Sequence, residues 1–122
     1  MRSIFFAVLL CISTPALAET WTGYLVDGKC YASEERNVNP FAASFDANHD
    51  RAYEIRVCGP KFRTKEFIVV DVNGESFKLD PSGNAKAADF VRQIGQKQLL
   101  YVTVNGERHE NIVTVDSIKL AK

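Results

Sequence analysis

Two Asn-Gly pairs, Asn73-Gly74 and Asn105-Gly106, stand on either side of one short amphipathic helix pattern, with strand-like runs flanking both. Asn-Gly between alternating apolar runs is a strong hairpin signal, because asparagine and glycine tolerate the positive φ of a type I′ turn. The chain therefore reads as strand, hairpin, strand, helix, strand, turn, strand. That order leads to a mostly β domain close to a small Greek-key barrel.

The first hairpin has a definite expected register. A two-residue loop at Asn73-Gly74 sets Val72 opposite Glu75, Val70 opposite Phe77 and Ile68 opposite Leu79. Side chains alternate between faces. The apolar set then points to the core, while Phe67, Val69, Asp71, Ser76, Lys78 and Asp80 point outward. A slip of one residue would exchange the two sets.

The N-terminus reads as an export signal. Met1-Arg2 is a short basic start, Ile4 to Ile12 is apolar, and Ala16-Leu17-Ala18 supplies the small residues of a cleavage site before Glu19. The apolar run is far short of the ~20 residues that span a bilayer. Residues 1–18 are assigned to a signal peptide and 19–122 to one domain, periplasmic or secreted in a bacterium, with no membrane span after cleavage. Without Arg2 the chain has 14 basic against 15 acidic residues, a net charge of −1. A general nucleic-acid binder shows a basic excess, since phosphate contacts dominate its affinity; a nucleic-acid partner is not expected.

Two cysteines remain after cleavage, Cys30 and Cys58. A reactive thiol or half a metal site is an alternative, but neither lies in a Cys-x-x-Cys pair and no histidine adjoins either. In an exported chain the expected outcome is a disulfide. It would tie the ends of a long polar insertion, residues 29–64, that follows the first strand, Trp21 to Val26. Within it Asp50 to Val57 fits two turns of helix, and Gly59-Pro60 stops them. After the hairpin, Pro81-Ser82-Gly83 reads as a turn and Asn84 as the N-cap of a helix. Its apolar stripe is Ala87, Phe90, Val91 and Ile94, and Gly95 is its stop. Leu99 to Val104 is a strand, Asn105-Gly106 opens a turn and polar loop, and Ile112 begins the last strand. Apolar parity changes between Val115 and Ile118, which implies a β-bulge near Asp116-Ser117.

Three strands, a helix, then two strands is the order of the oligonucleotide/oligosaccharide-binding (OB) fold. The fold expected is a five-stranded OB-like Greek-key barrel with one short helix between strands 3 and 4 and a disulfide-tied insertion after strand 1. Gly23 to Cys30, Cys58-Gly59, Phe67-Ile68-Val69, Phe77 to Asp80 and Tyr101 to Val104 resemble small secreted bacterial OB-fold proteins of uncharacterised function. Those carry a Gly-x-x-x-Asp-x-x-Cys start and a second cysteine before the central hairpin. The long Asn/Asp-rich insertion departs from that pattern, and the resemblance implies a fold rather than an activity.

Candidate chemistry is sparse. Asp46 to Asp50 opens like a calcium loop, but Arg51 replaces the turn glycine and Val57 the bidentate glutamate. His49 and His109 are expected in separate exposed loops, without the three ligands of a catalytic zinc site. No nucleophile elbow surrounds Ser76 or Ser117. No catalytic residue, metal or cofactor is assigned. The expected function is a non-catalytic binding module for a glycan, a cell-envelope component or a protein. Its contact surface would be the outer hairpin face (Phe67, Val69, Asp71, Ser76, Lys78, Asp80) with Tyr31 and Phe62 from the insertion, because such barrels bind ligands there. The alternatives are a small metal-dependent hydrolase using Asp71, Asp80 and a loop histidine, or a single-strand nucleic-acid binder.

Overall fold

A computed structural model describes residues 18–37 and 47–121, with the backbone alone at 36, 37 and 47–50. Residues 1–17 of the segment expected to be a signal peptide, and Asp46 of the calcium-loop pattern, lie outside the described residues. The elements are β1 (Glu19–Asp27), α1 (Gly28–Asn37), α2 (Ala47–Val57), β2 (Phe67–Val70), β3 (Ser76–Leu79), α3 (Pro81–Ile94), β4 (Leu100–His109) and β5 (Ile112–Leu120).

The strands form a mixed sheet that closes in a ring in the order β1-β2-β3-β5-β4. β1 makes closure possible by pairing with β4 along 19–25 and with β2 along 24–27. Gly23 sits at this changeover, where a Cβ would lie 2.5 Å from the Val70 carbonyl oxygen. β3 and β5 complete the ring through a short parallel pairing, Lys78 with Ile112 and Leu79 with Val113.

Inside the ring lie Leu25, Phe67, Val69, Phe77, Leu79, Leu100, Val102, Val104, Val113 and Val115, with Ala87, Phe90 and Val91 of α3 packed on them. The expected helix stripe thus faces the core, with Ile94 partly buried at its end, and Gly95 ends the helix at φ 106°. The N-cap is a correction. Asp80, not Asn84, caps α3: its Oδ1 accepts from Gly83 N at 2.8 Å and from Val115 N at 3.3 Å, with Pro81 in the first turn. Proline is pre-set for that position, so Pro81-Ser82-Gly83 is helix rather than turn.

The hairpin register also differs by one residue from expectation: Ile68 pairs with Lys78, Val69 with Phe77 and Val70 with Ser76. The cause is Asp71. Its Oδ1 accepts from Asn73 N and Glu75 N, each at 2.9 Å, and its backbone N donates to Glu75 O. This side-chain cap widens the connection beyond a two-residue loop. Phe67 and Val69 consequently face the ring interior, 1% and 2% exposed, while Val72 is 68% exposed.

Ile68 and Val70 face outward without meeting water. A second cluster covers them, made of Val26, Tyr31, Ile55 and Cys58, with Cys30 and Tyr24 at its edge. The insertion is therefore built around two helices, one of them unanticipated. Asp27 starts α1 by accepting from Cys30 N (3.0 Å) and receives the Thr64 hydroxyl through its other oxygen (2.7 Å). The Cys30–Cys58 disulfide is formed, with Cα atoms 5.5 Å apart.

Asn105-Gly106 is not a turn: both residues lie within β4, and the chain reverses at Glu110-Asn111, where Glu110 takes φ 60°. The expected bulge is there, since Asn105 pairs with Ser117 and Gly106 with Val115, leaving Asp116 unpaired. A Cβ on Gly106 would lie 2.0 Å from the Thr114 oxygen, so glycine serves the bulge rather than a hairpin.

Candidate functional site

Where α1, the β2–β3 edge and the start of α3 converge, they leave a groove of about 500 Å³. Its walls include Gly28, Lys29, Ala32, Glu66, Ile68, Lys78, Leu79, Pro81 and Asn84, with Phe67. Local structure fixes each wall. Gly28 N donates to Glu66 O at 2.7 Å, and a Cβ there would lie 3.0 Å from that oxygen, which brings α1 close to the chain entering β2. Lys78 N donates to Asn111 O at 2.8 Å, holding β3 against β5 while the lysine side chain faces solvent. Asn84 ties the floor together, accepting from Phe67 N (2.9 Å) and donating to Leu79 O (3.4 Å).

The groove thus has an apolar floor, two exposed ammonium groups at Lys29 and Lys78, and one exposed carboxylate at Glu66. Such a combination would suit a ligand with an apolar body and an anionic group, the body desolvated on the floor and the charge met at the rim.

Of the residues expected to form the binding face, the groove brings together only Lys78 and Phe67. Phe67 and Val69 point into the core rather than outward. Asp71 and Asp80 stand at opposite ends of β3, their carboxylates engaged with backbone N–H groups. Ser76 is exposed near the hairpin turn. Tyr31 is 5% exposed, turned from the insertion onto the ring; burial pushes its hydroxyl pKa up to about 12, assisted by the Glu35 and Glu54 charges and opposed by Arg51. Phe62 is exposed on a turn at 61–64. Lys29, Ala32 and Asn84 went unrecognised; the signal for the first two was Asp27 as a helix cap, three residues before Cys30.

His109 ends β4 rather than lying in a loop, with Nε2 3.6 Å from Glu107 Oε1, and His49 lies in α2 with its side chain outside the described atoms. Among the described residues no group of three or more His, Cys, Asp or Glu is placed to hold a metal ion. Nor, among them, is any helix long and apolar enough to cross a membrane. The disulfide fits an oxidising compartment. Comparison with protein-family models, curated proteins and solved structures finds no match to this chain.

Proposed function

We propose that this chain is an exported, non-catalytic binding module on an OB-type Greek-key ring, and that its ligand lies in the groove between α1 and α3. The observation that carries the reading is the groove itself: an apolar floor with Lys29 and Lys78 outnumbering one carboxylate, Glu66, on the β2–β3 side of the ring. The ring order and the helix between β3 and β4 support the OB reading, and the disulfide supports export. Two ammonium groups over aliphatic side chains suit a carboxylate-bearing glycan or peptide of the cell envelope. The test is an amide-resolved NMR titration with muramyl peptides, uronic-acid disaccharides and acidic peptides. Shifts centred on Lys29, Ala32, Lys78 and Asn84 are expected. Shifts centred on the outer β4–β5 face instead would overturn the assignment.

A further inference from the structure

A separate surface carries its own charge. The segment Lys61-Phe62-Arg63-Thr64 is a rigid turn: Thr64 N donates to Lys61 O at 3.1 Å, and Lys61 N donates to the Thr64 hydroxyl oxygen at 2.9 Å. Thr64 is buried and its hydroxyl donates to Asp27, so the turn is pinned from beneath. Phe62 and Arg63 occupy the tip, where Phe62 is 54% exposed and its N–H is held by Gln96 Oε1 at 2.8 Å. Against this turn lies the α3–β4 connection, whose Lys97 carbonyl oxygen would be 2.9 Å from a Cβ on Gly59. That connection ends in Leu99, 51% exposed, which lines a separate groove with Arg51, Arg56 and Asp71. Phe62 is thus displayed with two exposed cations, Lys61 and Arg63, on its own turn and a third, Lys97, on the connection packed against it, in a chain that is otherwise close to neutral. The cleft at the tip is lined, among the described residues, by Lys61, Phe62, Arg63 and Gln96, with no carboxylate among them.

We propose that this turn docks the protein on an anionic phospholipid surface, with Phe62 entering the headgroup layer and the surrounding cations meeting lipid phosphates. Charge complementarity selects an anionic partner. The aromatic at a rigid, outward tip selects a lipid interface over a dissolved polyanion, because aromatic side chains gain by entering the boundary between headgroups and acyl chains. A nucleic acid would instead call for several stacking aromatics along a basic groove. Binding should weaken steeply with salt, as exposed charges are screened beyond about 10 Å at 0.1 M.

The test is vesicle flotation of the full mature chain with phosphatidylcholine alone and with phosphatidylglycerol added. Binding at least about tenfold tighter to the anionic vesicles is expected, lost in high salt. Phe62→Ala should weaken it by about tenfold at unchanged charge, the effect of withdrawing one aromatic side chain from an apolar layer. Lys61→Glu with Arg63→Glu should abolish it, with the melting temperature unchanged in each variant. A Phe62→Trp variant should be quenched by brominated lipid beyond any quenching of Trp21 in the parent chain. Equal binding to neutral vesicles, no binding, or binding indifferent to Phe62 and matched by soluble heparin or DNA would each overturn the proposal.

Discussion

Breaking the Cys30–Cys58 bridge tests whether the insertion is part of the domain or an appendage. The bridge closes a loop of about 29 residues, for which the chain-entropy relation gives about 3.6 kcal/mol of stabilisation through the unfolded state. The second core makes that loss global. Tyr31 and Ile55 of the insertion pack on Ile68 and Val70 of β2, whose neighbours Phe67 and Val69 fill the ring, so neither layer can open alone at low cost. Reduction of the intact chain should therefore lower unfolding free energy by about 3–4 kcal/mol in a single transition, a fall of roughly 15–25 °C in Tm for a domain of this size. The Cys30→Ala/Cys58→Ala variant should lose about 1 kcal/mol more, because Cys58 is buried and its sulfur leaves a void. The assay is urea unfolding followed by far-UV circular dichroism and by fluorescence of Trp21, which reports on the ring. Coincident curves are expected. Two separated transitions, or a loss below about 1 kcal/mol, would refute the shared-core reasoning.

Three further substitutions probe particular junctions. Val69→Ala should cost about 2 kcal/mol in urea unfolding, and Val72→Ala less than about 0.5, because Val69 faces the ring interior and Val72 faces water; the reverse order would restore the two-residue hairpin register. Asp80→Ala removes the acceptor of Gly83 N and Val115 N and should cost about 2 kcal/mol, whereas Asp80→Asn, which keeps an oxygen, should retain most of it. Tyr31 has its folded pKa raised from 10.0 to about 12, so the folded state holds the proton that the unfolded state releases between those values. Stability from this group is complete below pH 10 and falls as pH rises toward 12, by on the order of 2 kcal/mol, and Tyr31→Phe should remove that part of the slope in alkaline unfolding.

Much of the architecture is legible in the residues because local rules and tertiary packing agree there. The stripe Ala87, Phe90, Val91 and Ile94 with Gly95 after it can only be a helix with one buried face, and the parity change at Val115–Ile118 can only be a bulge or a break. The hairpin register was not legible, since a side chain set it: Asp71 caps its own loop and displaces the pairing by one residue. A cue was nonetheless present. Phe67-Ile68-Val69-Val70 is four apolar residues in a row, the pattern of a strand buried on both faces rather than one. Asn105-Gly106 misled because the same dipeptide serves a turn and a bulge, and only the nearness of Thr114 decides between them. The groove was the least legible part. Its walls come from three elements separated along the chain, and α1 begins at a glycine with a weak apolar stripe, so Lys29 and Lys78 have no sequence relation that would bring them together.

The proposal that the ligand occupies the α1–α3 groove is tested most directly by filling it. Ala32 lines the groove, half-buried on α1, and Ala32→Trp would occupy the space over Ile68 and Leu79. The measurement is calorimetric titration of the parent chain and this variant with whichever muramyl peptide, uronic-acid disaccharide or acidic peptide shifts the parent's amides most. A loss of affinity of about a hundredfold or more at unchanged Tm is expected, the cost of displacing a ligand from its floor. Undiminished binding by a stably folded Ala32→Trp chain would contradict it.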